Sequence, residues 1–226
     1  FGYNTLEEVL RKVVGLYVTN DRNYSYLGVR GYYIPGDYSS RILISINGLT
    51  ANDEIFGTGT IGRELGINMD SIKRIEIIKG PGSALYGTHA LFCVINIVTK
   101  DGEDINGIKF TGQYGDPSLT EGRLSFGKKF KNDLDIFISG SYFDYVGDDL
   151  YFEEFDTPEN NNGIFEDANW EEAYDFFSKI SYKDFSLQGG FNMRDTGIPT
   201  SAWGTVFNND GSKTSDGFDF LEFKYN

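Results

Sequence analysis

A chain of 226 residues with 16% aromatics, 28 glycines and a formal net charge of −14, from 20 basic and 34 acidic residues, has room for one or two domains. Its acidity repels a phosphate backbone and counts against a nucleic-acid partner. One cysteine, Cys93, excludes an internal disulfide, and with a single histidine, His89, it leaves no Cys- or His-based metal cluster.

No run of about 18 apolar residues encodes a transmembrane helix. The opening Phe1-Gly2-Tyr3 carries no basic and apolar leader, which reads as a cytosolic or a trimmed chain. The spacing of Leu6, Val9, Leu10 and Val13 predicts a short amphipathic helix, with Thr5 and Glu8 at capping-box positions and Gly15 closing it. Residues 41–49 predict a strand entering an Asn47-Gly48 turn. Residues 71–78 alternate as a half-buried strand, and 92–99 form another. Between them EIIKGPGSALYG, residues 76–87, passes through a glycine turn into a helix-like SALY. Gly82 and Gly87 have P-loop spacing, but Thr88 stands where the phosphate-neutralising lysine belongs, so the nucleotide reading is weak.

From about residue 103 the pattern changes. Six runs, roughly 107–115, 121–130, 134–145, 173–183, 184–194 and 217–226, alternate with period two over about ten residues each. In the fifth, Phe185, Leu187, Phe191 and Met193 share one face, opposed to Ser186, Gln188, Asn192 and Arg194. In the fourth, Tyr174, Phe176, Ile180 and Tyr182 oppose Asp175, Lys179, Ser181 and Lys183. The connections 131–133 and 183–184 are short while 146–172 and 195–216 are long, as the periplasmic and extracellular ends of an outer-membrane barrel require. A soluble sandwich is the competing reading of the same alternation. The loop 146–172 holds ten acids and no Lys or Arg; lacking EF-hand spacing, it reads as a solvated surface loop.

The ordered set TLEEVL (5–10), VRGY (29–32), RILISING (41–48), IKRIEIIKGP (72–81), SALYG (83–87) and VINIVTK (94–100) resembles the plug of TonB-dependent outer-membrane receptors. The six runs resemble the first strands of that family's barrel. Val14 stands where the family usually has Pro, Phe92-Cys93 replaces a common Gly-Gly, and Lys79 replaces an Arg, which keeps charge but loses bidentate geometry.

The resemblance implies an α+β plug domain over 1–102, followed by antiparallel transmembrane strands over 103–226 that are part of a 22-stranded barrel. It implies a receptor and TonB-dependent active transporter in the Gram-negative outer membrane, in contact with its lipid. The cargo implied is a scarce nutrient complex, with a ferric siderophore as first candidate and cobalamin or haem as alternatives. TonB would bind through an N-terminal box outside this chain. No catalytic residue, metal or cofactor is expected. Tyr32, Tyr33, Tyr38, Asn52 and Phe56, on the plug apices, are expected to touch cargo. Arg30 and Lys79 match the plug cations that pair with carboxylates of the barrel wall, with Glu76 neutralising one of them locally. His89 is expected to be structural. Two readings of other classes remain: a secreted β-rich hydrolase using Glu153 and Glu154, and an adhesion module.

Overall fold

In the computed structural model the described residues are 2–34, 36–115 and 118–225; Phe1, Pro35 of the first apex run, Asp116, Pro117 and Asn226 of the sixth run lie outside them. The first helix, α1 (Leu6–Leu10), buries Leu6 and Leu10 and stops before Val13. Five residues cannot hold a helix in isolation, so this packing does. The expected capping box does not form. Thr5 makes no side-chain cap and its Oγ1 is buried without a partner, while Glu8 Oε2 accepts from Asn4 N at 2.8 Å. The entry is instead set by Glu7 N donating to Ile61 O at 3.0 Å, a tertiary contact that outweighs the local one.

Strands β1 (Leu16–Asn20) and β2 (Ser25–Val29) form an antiparallel hairpin. Next comes β3 (Ile42–Ile46), turning through Asn47 and Gly48 into β4 (Leu49–Thr50). Both turn residues have positive φ, 51° and 85°, the geometry a two-residue type I′ hairpin needs and Asn-Gly supplies. Further on stand β5 (Ile72–Lys79), α2 (Ser83–Tyr86) and β6 (Cys93–Thr99). The sheet order is β4-β3-β6-β5, with β3 parallel and β5 antiparallel to β6. Every residue of β3 is buried, which is why its sequence is a continuous apolar run broken only by Ser45. In the glycine turn, Gly80 N donates to Phe92 O at 2.9 Å and Gly82 N to Ala90 O at 2.8 Å. Those donors are spent on the chain itself, so the turn packs and does not cradle phosphate.

The short helix α3 (Gly102–Ile105) carries a capping box of its own between Asp101 and Asp104. It lies directly on the next sheet. A Cβ on Gly102 would stand 2.7 Å from Lys128 N, so only glycine permits the approach.

That sheet is built from β7 (Gly107–Gly115), β8 (Leu119–Lys129), β9 (Leu134–Tyr145), β12 (Glu171–Tyr182), β13 (Phe185–Gly197) and β14 (Lys213–Tyr225). The pair β10 (Leu150–Tyr151) and β11 (Ile164–Phe165) stands within the connection between β9 and β12. All six strands are antiparallel in the order β14-β13-β12-β9-β8-β7, which leaves open edges at β14 and β7. Strands β7 and β9 begin and end where the alternation places them. At the loop end, β13 extends to Gly197 and β14 starts at Lys213, so the intervening loop is shorter than 195–216.

The polarity of the sheet is inverted relative to a soluble one. Glu121, Arg123, Ser139, Gln188, Asn192 and Arg194 are buried on the face toward the first half of the chain, while Leu124, Phe176, Leu187, Phe191 and Leu221 point outward, exposed. Aromatic rings frame the outward face, Tyr142 and Tyr174 near the loops, Tyr182, Phe185 and Tyr225 near the turns. Tyr174 to Tyr182 spans eight residues of β12, about 26 Å of strand at ~3.3 Å per residue. An apolar band of that height between aromatic girdles is what a lipid-facing strand requires. Two inward rings, Phe137 and Phe177, are fully buried and join the core made by Leu10, Ile44, Ile95 and their neighbours, so both halves share one core.

Candidate functional site

Tyr38 and Phe56 converge at the loop end of the sheet, their ring centroids 6.4 Å apart, and line a cavity of about 580 Å³. That lies within the size range of small-molecule sites. Tyr24 and Tyr26 of the β1–β2 hairpin, Glu64, and Ser215 to Phe218 of β14 complete its walls. Trp203, in the 3-10 turn Ala202–Gly204 after β13, adds a largely exposed ring from above. No sequence argument singled out Trp203; only folding brings residues 38, 56 and 203 to one place.

The apex loop after β4 is shaped by two adjacent side chains. Asn52 is buried: its Oδ1 accepts from Ile44 N at 2.9 Å and its Nδ2 donates to Ile42 O and Gly57 O, each at 2.9 Å. With its amide bonded to three backbone groups, Asn52 holds the loop from beneath and is not among the residues that line the cavity. Asp53 accepts from Ile55 N at 2.9 Å, Phe56 N at 2.8 Å and Thr58 N at 2.5 Å. Burial raises the pKa of its carboxyl, but the bonds from Phe56 and Thr58 outweigh that and hold it below the ordinary range. Glu64 is pushed up by burial, against the pull of Arg194. Tyr24, whose hydroxyl donates to Asp216 Oδ1 at 2.9 Å, is pushed up to about 12, chiefly by burial.

Tyr32 and Tyr33 do not reach this cavity. Tyr32 stacks on Phe92 at 6.0 Å and Tyr33 meets Tyr17 edge-on at 6.2 Å, around a smaller hollow with Leu27 and Ile42. Lys79 Nζ donates to Val14 O at 2.8 Å, and Arg30 lies beside Gly80. Glu76 neutralises neither of them. It accepts from Arg74 Nε at 2.8 Å and from Asn96 Nδ2 at 3.0 Å. On a strand, i and i+2 share a face, so Glu76 meets Arg74 and its register partner Asn96, whereas Lys79, three residues on, points the other way. His89 Nδ1 lies 2.6 Å from Ser40 O, a structural tie between loops. Glu153 and Glu154 sit side by side, exposed, on the 3-10 turn Glu153–Phe155. Among the described residues, no group of three His, Cys, Asp or Glu is placed to hold a metal ion.

Residues 1–94 match the family profile described as the TonB-dependent Receptor Plug Domain. This segment is a TonB-dependent receptor plug. A curated relative, the Vitamin B12 transporter BtuB of Vibrio vulnificus (strain CMCP6), is 30% identical over 150 residues, covering 65% of this chain and 23% of that protein. The chain thus spans about a quarter of that relative's length. Among solved structures, the ferric-catecholate import receptor Fiu from E. coli K12 superposes with a TM-score of 0.65 at 16% identity over 98% of this chain and 33% of that one. The FrpB iron transporter of Neisseria meningitidis gives 0.64 at 15% identity, over 99% and 34%. Both structures share the fold: a plug packed against antiparallel strands that resemble the barrels of TonB-dependent receptors.

One group of contacts between the plug and its sheet runs through residues 62–71, and Asn4, Asn23, Tyr24 and Asn47 add others. Arg63 Nη1 lies 3.1 Å from Glu121 Oε1, and its guanidinium carbon is 3.4 Å from the centre of the Phe143 ring. Asn68 Nδ2 donates to Asp175 Oδ1 at 2.7 Å. Asp70 Oδ1 accepts from Lys109 Nζ and Oδ2 from Thr111 Oγ1, both at 2.7 Å. Asn192 Nδ2 donates to the carbonyls of Arg63 and Glu64, each at 3.3 Å. These anchors were not foreseen. The available signal was the buried polar face of the strands, which demands partners but does not name them.

Proposed function

We propose that residues 1–102 form the plug and 103–226 the first six wall strands of a 22-stranded outer-membrane receptor that imports a scarce nutrient complex with energy from TonB. The single observation that supports this most is the inverted sheet: its apolar face carries a lipid-height band between aromatic girdles, and its polar face is occupied by the plug. A soluble sandwich would turn those faces around. The task is capture and passage, with no covalent step, and cargo enters from the loop end, where Tyr38, Phe56 and Trp203 surround the cavity. Aromatic walls with few polar groups are the general character of small-molecule sites.

A ferric siderophore is the first cargo, in keeping with the iron receptors that share the fold. Cobalamin is the second, favoured by the relative named for vitamin B12 transport. Deleting the gene for the intact receptor and measuring uptake of radiolabelled ferric siderophores and cyanocobalamin, in cells with and without TonB, tests the reading. Loss of one uptake activity in the deletion strain, with the same loss in cells lacking TonB, is the expected outcome. Unchanged uptake of every such complex would overturn it.

A further inference from the structure

Among the described residues, the walls of the cavity beside Tyr38 and Phe56 carry no Lys, Arg or His, whereas three carboxyl groups, Asp53, Glu64 and Asp216, line it. The guanidinium close behind it, that of Arg194, is buried and fully engaged. Its Nε bonds Glu171, its Nη1 lies 3.2 Å from Asp216 Oδ2, and its Nη2 donates to Asn23 O at 2.8 Å. No fork remains for an incoming carboxylate or catecholate oxygen. Asp53 is satisfied by backbone N–H groups, which bond its oxygens without cancelling a full charge. The loops above repeat the sign: residues 146–170 hold eight acids and 198–212 add Asp210, with no Lys or Arg in either. Arg22, in the β1–β2 turn, is taken up over the Phe152 ring, 5.7 Å from its centre.

We propose that this cavity selects a neutral or cationic metal chelate and discriminates against anionic ones, an inference that rests on the receptor reading above. An anion entering here gives up water, gains no cation from the walls that these residues supply, and faces the Asp53 carboxylate. A neutral or cationic chelate loses nothing to that field, and the faces of Trp203, Tyr38 and Phe56 favour it. The acidic loops act earlier, by lowering the encounter rate of anions at low salt.

The test is equilibrium binding to the detergent-solubilised intact receptor with four probes: an uncharged cyclic ferric trihydroxamate, cyanocobalamin, a monocationic linear ferric trihydroxamate, and a ferric tris-catecholate of charge −3. At least one of the first three is expected to bind about a hundredfold tighter than the tris-catecholate, since like-charge juxtaposition costs several kcal/mol. A tris-catecholate that binds equally or more tightly overturns the charge selection and leaves the receptor reading standing. Binding of none of the four overturns the receptor reading of the cavity, and the selection with it. Thr60→Lys, or Ser215→Lys should the first fail to fold, places a cation in the cavity wall. Either is expected to raise the ratio of anionic to neutral affinity about tenfold; an unchanged ratio in both contradicts the proposal.

Discussion

Arg63 of the plug and Glu121 of β8, 58 residues apart in sequence, meet through Arg63 Nη1 and Glu121 Oε1 at 3.1 Å, with side-chain exposures of only 15% and 2%. Glu121 keeps a second cation, Arg123 Nη2 at 2.8 Å, so removing Arg63 does not strand it entirely. Arg63→Ala is therefore expected to cost about 2 kcal/mol, below the 3–5 kcal/mol of an unshared buried pair. The loss should appear as faster amide exchange in 62–71 with little change in β8. Arg63→Lys is not expected to rescue it, because lysine has no planar fork to lie over Phe143 while bonding Glu121. Unchanged exchange in Arg63→Ala would show that the pair does not hold the plug.

Asp70 joins the plug to β7 with a definite pH signature. Its carboxyl is lowered from its ordinary value of 3.8: burial opposes the shift, but the bonds to Lys109 and Thr111 prevail. A lowered acid binds fewer protons folded than unfolded, so its stabilisation is fully present above about 3.8 and fades as pH falls through the folded value. Lys109 is partly exposed, and solvent screening limits the contribution to about 1 kcal/mol. Asp70→Asn is expected to destabilise the plug–sheet contact at pH 7, with the difference from the parent shrinking as pH falls through the lowered folded pKa of Asp70. Equal stability of the two proteins in thermal unfolding at pH 7 would contradict this.

Phe207 makes one body of the two long loops. Its ring stacks on Phe155 at 4.3 Å and meets Phe165 at 5.3 Å and Phe152 at 5.9 Å, although it belongs to the loop after β13 and they to the loop after β9. Phe207→Ala is expected to cost about 3 kcal/mol locally. Limited proteolysis should then cut within 146–170 while the six-stranded sheet stays intact. Resistance equal to the parent's would mean that the loops hold together by other contacts.

The strands were legible because period-two alternation is a local property: β7 and β9 fall where the pattern puts them. The Asn47-Gly48 turn was legible because its geometry demands those residues. Pairings between distant residues were not. Glu76 read as a neighbour of Lys79 by closeness in sequence, and strand geometry sends it to Arg74 and Asn96. Asn52 read as an apex contact because it lies on an apex loop, yet its amide is consumed by three backbone groups. Tyr32 and Tyr38, six residues apart in sequence, line different hollows. A sequence states which face of a strand is polar; only docking the plug decides that Asn68 takes Asp175 and Arg63 takes Glu121.

Adjacent positions on one strand decide which face of the six-stranded sheet meets lipid. Nitroxide labels at Leu187, Gln188, Phe191 and Asn192 of β13, placed one at a time in the intact receptor in lipid bilayers, should alternate in their collision rate with oxygen dissolved in the membrane. High rates are expected at 187 and 191, which point outward, and low rates at 188 and 192, which are buried against the plug. High rates at 188 and 192 with protection at 187 and 191, or no alternation at all, would contradict the lipid-facing assignment of this sheet.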